Sequence, residues 1–326
     1  MMGAYGLVAD IGGTHVRLAI VELPARKPAI ASIRVFATRD HADIAAAAQV
    51  YLKEIGATGA PEMLVFAVAG PVNNNSVYLT NAGWIISGDR LREVLGIRLA
   101  LMVNDFEAIA QAVPHLAPRD LLPIGDGPAF GAQGDGTIAI VGPGTGLGVG
   151  GSVRKHGVST ALVTEGGHIA FAPTDETEIR ILQILMRKFG RVSAERILSG
   201  PGLHNLYEAM AEIGGIRATD ATPETITQAA QEHASSFEAK VFARFCAILG
   251  SVAGDFALAL GARHGVLLAG GILPNAAQFL AASDFRNRFE DKARFADYMK
   301  AIPTCLIVEQ HAGLIGAAAI LLEGTR

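Results

Sequence analysis

Residues 5–22 read YGLVADIGGTHVRLAIVE. An apolar run ends in Asp10, Gly12, Gly13 and Thr14, and an alternating apolar run then resumes. Short apolar runs flanking a glycine turn predict strands over 5–9 and 16–21. Glycines at such a turn let consecutive backbone N–H groups line a concavity that no Cβ blocks, and this kind of nest binds anionic oxygen. Thr14 adds a hydroxyl donor. Asp10 would repel a phosphate unless a magnesium ion stands between them, directly or through water. An ordinary glycine hairpin with a capping aspartate accounts for the same residues, so the stretch alone leaves both readings open.

The plan recurs. IAIVGPGTGLGVGGSV at 138–153 is again a strand, a glycine-threonine turn and a strand, about 130 residues further on. Gly144, Thr145 and Gly146 are the candidates for its nest. Two phosphate-type turns at domain spacing are hard to explain as two ordinary hairpins. The GxGxxG match at Gly146, Gly148 and Gly151 lacks the helix a dinucleotide fingerprint needs, and no GxxxxGK[ST] string occurs. LLAGGILPN at 267–275 supplies a third glycine pair, Gly270 and Gly271. It fits either a flat adenine or ribose lying on bare backbone or a tight strand-to-helix turn.

Further apolar runs predict strands over 30–37, 63–69, 98–103, 138–141, 147–153, 266–269 and 305–308. Helical spacing is found over 41–55, 176–189, 224–235, 237–260 and 285–300, and AGLIGAAAILL at 312–322 reads as a buried helix. Alternating strands and helices indicate an α/β protein. The short turns among the first three strands predict an antiparallel meander, with parallel strands added later. The internal echo predicts two similar α/β domains, with a boundary between Pro114 and Pro123.

Composition narrows the function. The chain has 326 residues, a net charge of −4 and no basic run longer than two, which excludes nucleic acid as the main partner. No secretory n-region precedes the first strand, and Arg244 and Asp255 interrupt the apolar stretch 241–260, so no membrane span is expected. Two distant cysteines, Cys246 and Cys305, predict buried thiols in a reducing cytoplasm rather than a disulfide framework or zinc site. Trp84 reads as core packing.

Three polar groups remain. In LMVNDFEAIAQAV at 101–113 a strand ends and Asn104–Asp105 open a helix. Asp105 there is either an N-cap or, with the Asn104 amide, a group that grips and deprotonates a hydroxyl. EGGH at 165–168 flanks two glycines with Glu165 and His168; a sugar hydroxyl cluster suits them better than a metal. Glu195, in SAERILSG at 193–200, is either a first-turn helix carboxylate or part of the same cluster.

Taken in order, DIGGTH, NDFEA, GPGTGLG, EGGH, AERILSGPGL and AGGI closely resemble the bacterial glucokinases of the hexokinase-like superfamily, from about residue 5 to about residue 322. The resemblance implies a two-domain α/β fold of the actin/hexokinase (ribonuclease H-like) kind with a central cleft, each domain a mixed sheet flanked by helices. It implies a small domain of 1–115 plus 309–326, a large one of 116–308, and a homodimer. Asp105 would be the general base, and Asn104, Glu165, His168 and Glu195 would hold sugar hydroxyls. Ala9, Asp10, Ile11, Gly12, Gly13 and Thr14 would form the first phosphate loop, with Asp10 near Mg²⁺. Gly144, Thr145 and Gly146 would form the second loop, and Gly270–Gly271 the adenosine end of ATP. His15 departs from the asparagine of many relatives, at a position after the loop. The cysteine-rich zinc motif of the related ROK kinases is missing, and the first strand at residue 5 leaves no N-terminal DNA-binding helix pair of the ROK repressor kind. The expected reaction is ATP plus glucose giving ADP plus glucose 6-phosphate. Its rivals are a kinase for mannose, fructose or glucosamine, and a non-catalytic sugar sensor.

Overall fold

The computed structural model describes residues 3–80, 82–131 and 134–324; the expected domain limits at residues 1 and 326 lie outside these. The chain opens with β1 (Tyr5–Ile11), β2 (His15–Glu22), β3 (Ala31–Ala37) and α1 (Ile44–Glu54). Next come β4 (Met63–Val68), β5 (Ser76–Leu79), β6 (Trp84–Ser87), α2 (Gly88–Leu95), β7 (Leu99–Asn104) and α3 (Asp105–Ala112). Then follow β8 (Leu121–Pro123), β9 (Gly136–Pro143), β10 (Leu147–Lys155), β11 (Val158–Val163), α4 (Glu176–Phe189), α5 (Gly200–Gly214), α6 (Pro223–Glu232) and α7 (Phe237–Leu260). The last elements are β12 (Gly265–Leu268), α8 (Ala277–Ala282), α9 (Phe285–Glu290), α10 (Ala296–Lys300), β13 (Thr304–Ile307) and α11 (Ala312–Glu323).

Contacts divide the chain into two units. The first holds Met1–Ala117, Ser159–Val163 and Glu309–Arg326; the second holds Pro118–Val158 and Thr164–Val308. In the first, a five-stranded sheet has the order β3-β2-β1-β4-β7. The meander β1–β2–β3 is antiparallel, and β4 and β7 add in parallel. β1 is buried on both faces, as its near-continuous apolar run requires. Leu7, Ala9 and Ile11 enter one core with Ile44, Tyr51 and Phe66. Val8 enters the other with Leu314, Ala317 and Leu321 of α11. Gly316 lets α11 press against α3, because a Cβ there would collide with the Ala108 carbonyl.

The second sheet has the order β11-β10-β9-β12-β13-β8. β9 and β10 pair antiparallel, while β12 and β13 add in parallel beyond β9. The internal echo in the sequence is thus one strand plan used twice, a glycine-turn hairpin extended by two parallel strands. Over this sheet lies α7, 24 residues long and apolar enough to cross a membrane by length and composition, yet 78% buried in its most apolar window. It serves as a core helix, with Phe242, Phe245, Ile248 and Leu249 at most 1% exposed. Cys246 and Cys305 are free and buried, and burial pushes their thiols up to about 12 and about 11. Trp84 is buried in the core of the first unit.

One expected element is wrong. Residues 285–300 form α9, a 3-10 turn and α10 instead of a single helix. The break comes where Lys292 turns back to α7, bonding the Ser251 carbonyl at 2.9 Å and Asp255 at 2.6 Å, and Ala293 takes a left-handed φ of 47°. The β5–β6 hairpin, β8, β11, α2, α5 and α8 are not predicted; of these, β5, β6 and β8 have only three or four residues and, unlike the equally short β12 and β13, no continuous apolar run.

Candidate active site

In β1 side chains alternate, so Asp10 shares the side of Gly6 and Val8 that faces α11. Its carboxylate meets the start of that helix: a Cβ on Gly313 would stand 3.1 Å from Asp10 Cγ. A negative group is favoured at a helix N-terminus. Across the ladder Asp10 faces Arg17, whose Nη1 lies 3.4 Å from Oδ2. Burial pushes the Asp10 carboxyl above its ordinary range, and Arg17 and His311 pull against that rise. The Ala9 and Ile11 side chains are wholly buried, and the Ile11 carbonyl accepts from Ala69 N. Any ligand contact from these two residues is therefore limited to backbone.

The turn that follows is held by neutral groups. Gly12 N donates to the His15 carbonyl at 2.9 Å. Thr38 holds the next two carbonyls, its N donating to Thr14 O at 3.0 Å and its Oγ1 to Gly13 O at 3.1 Å. Because the peptide is trans and planar, fixing the Gly13 carbonyl turns the Thr14 N–H to the opposite side. A Cβ on Gly12 would find nothing nearer than 3.7 Å, so this glycine leaves open space rather than relieving a clash.

At the end of β7, Asn104 is the N-cap of α3. Its Oδ1 accepts from Phe106 N at 2.9 Å and Glu107 N at 3.3 Å, and its Nδ2 donates to Gly70 O at 3.1 Å. An amide has two N–H donors, so one remains for a ligand. This settles the capping ambiguity: Asn104 caps, and Asp105 is the first helical residue, its Oδ1 accepting from Phe106 N at 3.0 Å.

The second unit builds its turn around a carboxylate. Gly144 N donates to Gly146 O and Gly200 N, at the start of α5, donates to Gly144 O, both at 2.8 Å. Leu147 N donates to Glu195 Oε2 at 2.9 Å. A Cβ on Gly146 would stand 2.5 Å from that same oxygen. Glu195 is thus a wall of the glycine turn, not a plain helix-end charge. Its other oxygen, Oε1, lies 3.9 Å from His168 Nδ1. His168 belongs to the 3-10 turn Gly166–His168, which Glu165 precedes as N-cap residue. That turn hugs β10: Thr164 Oγ1 donates to Val149 O at 2.7 Å, and a Cβ on Gly167 would collide with the Leu147 carbonyl. The glycines of EGGH serve packing, and the packing brings His168 to Glu195.

Gly270 has a φ of 90°, and a Cβ there would strike the Pro143 carbonyl. Gly271 has open space, and its N lies 4.0 Å from where a Cβ of Gly144 would be. The second and third glycine clusters are therefore neighbours. The structure brings Gly144–Gly146, Gly270–Gly271, Glu195 and His168 together in the second unit, and sets Asp10 beside Arg17 in the first.

Among the described residues no three His, Cys, Asp or Glu side chains gather as a metal cage. Magnesium does not need one, since it keeps several waters and commonly takes one or two carboxylates beside substrate phosphates. Asp10 fits that demand. Beside it, His311 Nδ1 is buried without a hydrogen-bond partner among the described residues.

Two mixed sheets of one strand plan, each with a glycine turn in its first hairpin, place the chain among the two-domain α/β sugar kinases. The family model described as Glucokinase matches residues 7–324. A glucokinase of Caulobacter sp. (strain K31) is 47% identical over 324 residues, 98% of this chain and 96% of that protein. The crystal structure of glucokinase from an Antarctic psychrotroph superposes with a TM-score of 0.84 at 35% identity, covering 98% of this chain and 99% of that one. At 21% identity, Balamuthia mandrillaris glucokinase in complex with glucose shares the fold, with a TM-score of 0.83 over 98% of this chain and 94% of that one. The chain belongs to the glucokinase family. As such it is a sugar kinase, an ATP-dependent hexose phosphotransferase.

Proposed function

We propose that this enzyme transfers the γ-phosphoryl group of ATP to the 6-hydroxyl of D-glucose, giving glucose 6-phosphate and ADP. The observation that carries this reading is the Gly146–Leu147–Glu195–His168 constellation, in which one oxygen of Glu195 braces a phosphate-type turn and the other faces His168. Glu165 and Glu195 accept from sugar hydroxyls, His168 donates to or accepts from another, and the remaining Asn104 N–H donates to one more. Asp105 takes the proton of the 6-hydroxyl as its oxygen bonds to the γ-phosphorus and the bond to the bridging β–γ oxygen breaks. Gly13, Thr14, Thr145 and Gly146 offer backbone N–H groups to the phosphates, Gly12 and Gly144 shape the two turns through their own N–H bonds, and Gly270–Gly271 take the adenosine end. Asp10 holds Mg²⁺, which neutralises charge on the transferring group when bound. A homodimer and a cytoplasmic setting belong to the same proposal, supported by the family and by two buried free thiols.

A coupled ADP-release assay on glucose, mannose, fructose and glucosamine tests it. Glucose should lead by kcat/KM. A different leading hexose moves the substrate, and no sugar-dependent ADP release leaves only a sensor.

A further inference from the structure

A short antiparallel pairing in the second unit brings His168 opposite Glu195. Phe171 N donates to the Val192 carbonyl at 3.1 Å, Ala194 N donates to the Ile169 carbonyl at 2.9 Å, and Ala170 bridges Ser193 between them. One step beyond the Ile169–Ala194 bond come His168 on one side and Glu195 on the other. The two residues are held differently. The Glu195 carbonyl accepts from Ser199 Oγ at 2.8 Å, and the Arg196 carbonyl accepts from Asn205 Nδ2 at 3.0 Å. Ser199 and Asn205 are buried, so this side is locked from within. On the other side, Thr164 and Gly167 seat the Gly166–His168 turn on β10 but leave its last carbonyl pointing outward. That carbonyl, of His168, accepts from Arg191 Nη2 at 2.7 Å, and Arg191 is exposed. The His168 side chain is itself 60% exposed, so packing does not lock its rotamer. Its direction depends on the backbone that carries it.

Resting on the sugar-site reading above, we propose that Arg191 is a positioning residue for the sugar. Its guanidinium pins the His168 carbonyl and so keeps the imidazole beside Glu195, where both meet hydroxyls. A hydrogen bond from a charged donor is stronger than a neutral one, which suits a lock made at the surface. Arg191 acts through His168 and not on the reacting atoms. Its loss therefore weakens an interaction made equally in the ground state and the transition state, and such a loss raises KM while leaving kcat.

Steady-state kinetics and thermal midpoints of Arg191→Ala and Arg191→Lys test this. Arg191→Ala should raise KM for glucose about five- to tenfold, with kcat, KM for MgATP and the thermal midpoint close to those of the parent. Arg191→Lys should recover most of the loss, because one N–H to one carbonyl is all the lock requires. In a His168→Ala background, Arg191→Ala should change glucose KM less than about twofold further, since the group it positions is gone. An unchanged glucose KM, a lysine variant as impaired as the alanine one, or full additivity with His168→Ala overturns the proposal. A parent enzyme without glucose-dependent turnover breaks the sugar-site reading beneath it, and the proposal with it.

Discussion

The two glycine turns share a plan and differ in what holds them. In the first unit, Thr38 braces the turn through neutral hydrogen bonds, and Gly12 faces open space. In the second, a carboxylate does the bracing, and Gly146 is glycine because Glu195 occupies the place of its side chain. The same residue type therefore serves ligand room in one turn and protein packing in the other. The second unit repeats the use of charge behind its site. Glu178 at the start of α4 is wholly buried, accepting from Thr174 N at 2.9 Å, Arg244 at 3.0 Å and Arg288 at 2.8 Å. Arg244 also pairs with Asp175, the N-cap of α4. A fully paired buried carboxylate ties α4, α7 and α9 together, and it makes this unit the one sensitive to losing a charge.

The comparison breaks if charge removal in the second unit is harmless. Glu178→Ala leaves the Arg288 guanidinium without a carboxylate and Arg244 with Asp175 alone, and should cost about 3–5 kcal/mol of stability, read from urea midpoints. A loss below about 1 kcal/mol would show that the network is solvated, since exposed pairs are worth that little. Next in size, Gly146→Ala forces Glu195 off Leu147 N and should lower kcat/KM about 10²-fold, the usual cost of an ångström-scale misplacement. Both sugar and nucleotide KM should change, because Glu195 braces the turn through one oxygen and faces His168 through the other. Gly12→Ala sharpens the contrast: with room for a methyl group it should leave the thermal midpoint near that of the parent and raise only nucleotide KM, by about tenfold or less for one weakened charge-assisted hydrogen bond. An effect on glucose KM would contradict the assignment of open space to phosphate.

The smallest effect is on acid stability. Burial raises the Asp175 carboxyl, but the Glu178 N–H and Arg244 guanidinium outweigh it and hold the group below its ordinary range. A depressed carboxyl contributes stability above its unfolded value of about 3.9 and loses it as pH falls through the folded value. Asp175→Asn should therefore flatten the decline of the thermal midpoint below about pH 4 and change its slope little at neutral pH.

The hairpins, parallel additions and repeated plan were legible because β1, β4, β9 and β12 are buried and written as apolar runs between glycine signals. α4 and α7 end where their caps do, at Asp175 and Gly190 and at Ser236 and Gly261. The β5–β6 hairpin was not legible. Its strands have four residues each, and the turn that leads into β5 uses Asn74 and Asn75 at φ of 48° and 55° instead of glycine. Of the site, Asn104–Asp105 were readable as a strand-to-helix junction, but which residue caps depends on tertiary bonds to Gly70. Nor could spacing reveal that Gly146 and Glu195, 49 residues apart, share a wall. Gly313 and His311 beside Asp10 gave no local sign, because that contact depends on how α11 packs on β1.

The general-base role of Asp105 is tested most directly by Asp105→Asn, followed by kcat with saturating glucose and MgATP and by calorimetric affinity for glucose. The base reading predicts a fall in kcat of about 10²–10⁴ with sugar binding kept within a few-fold. A variant turning over at nearly the parent rate would contradict it.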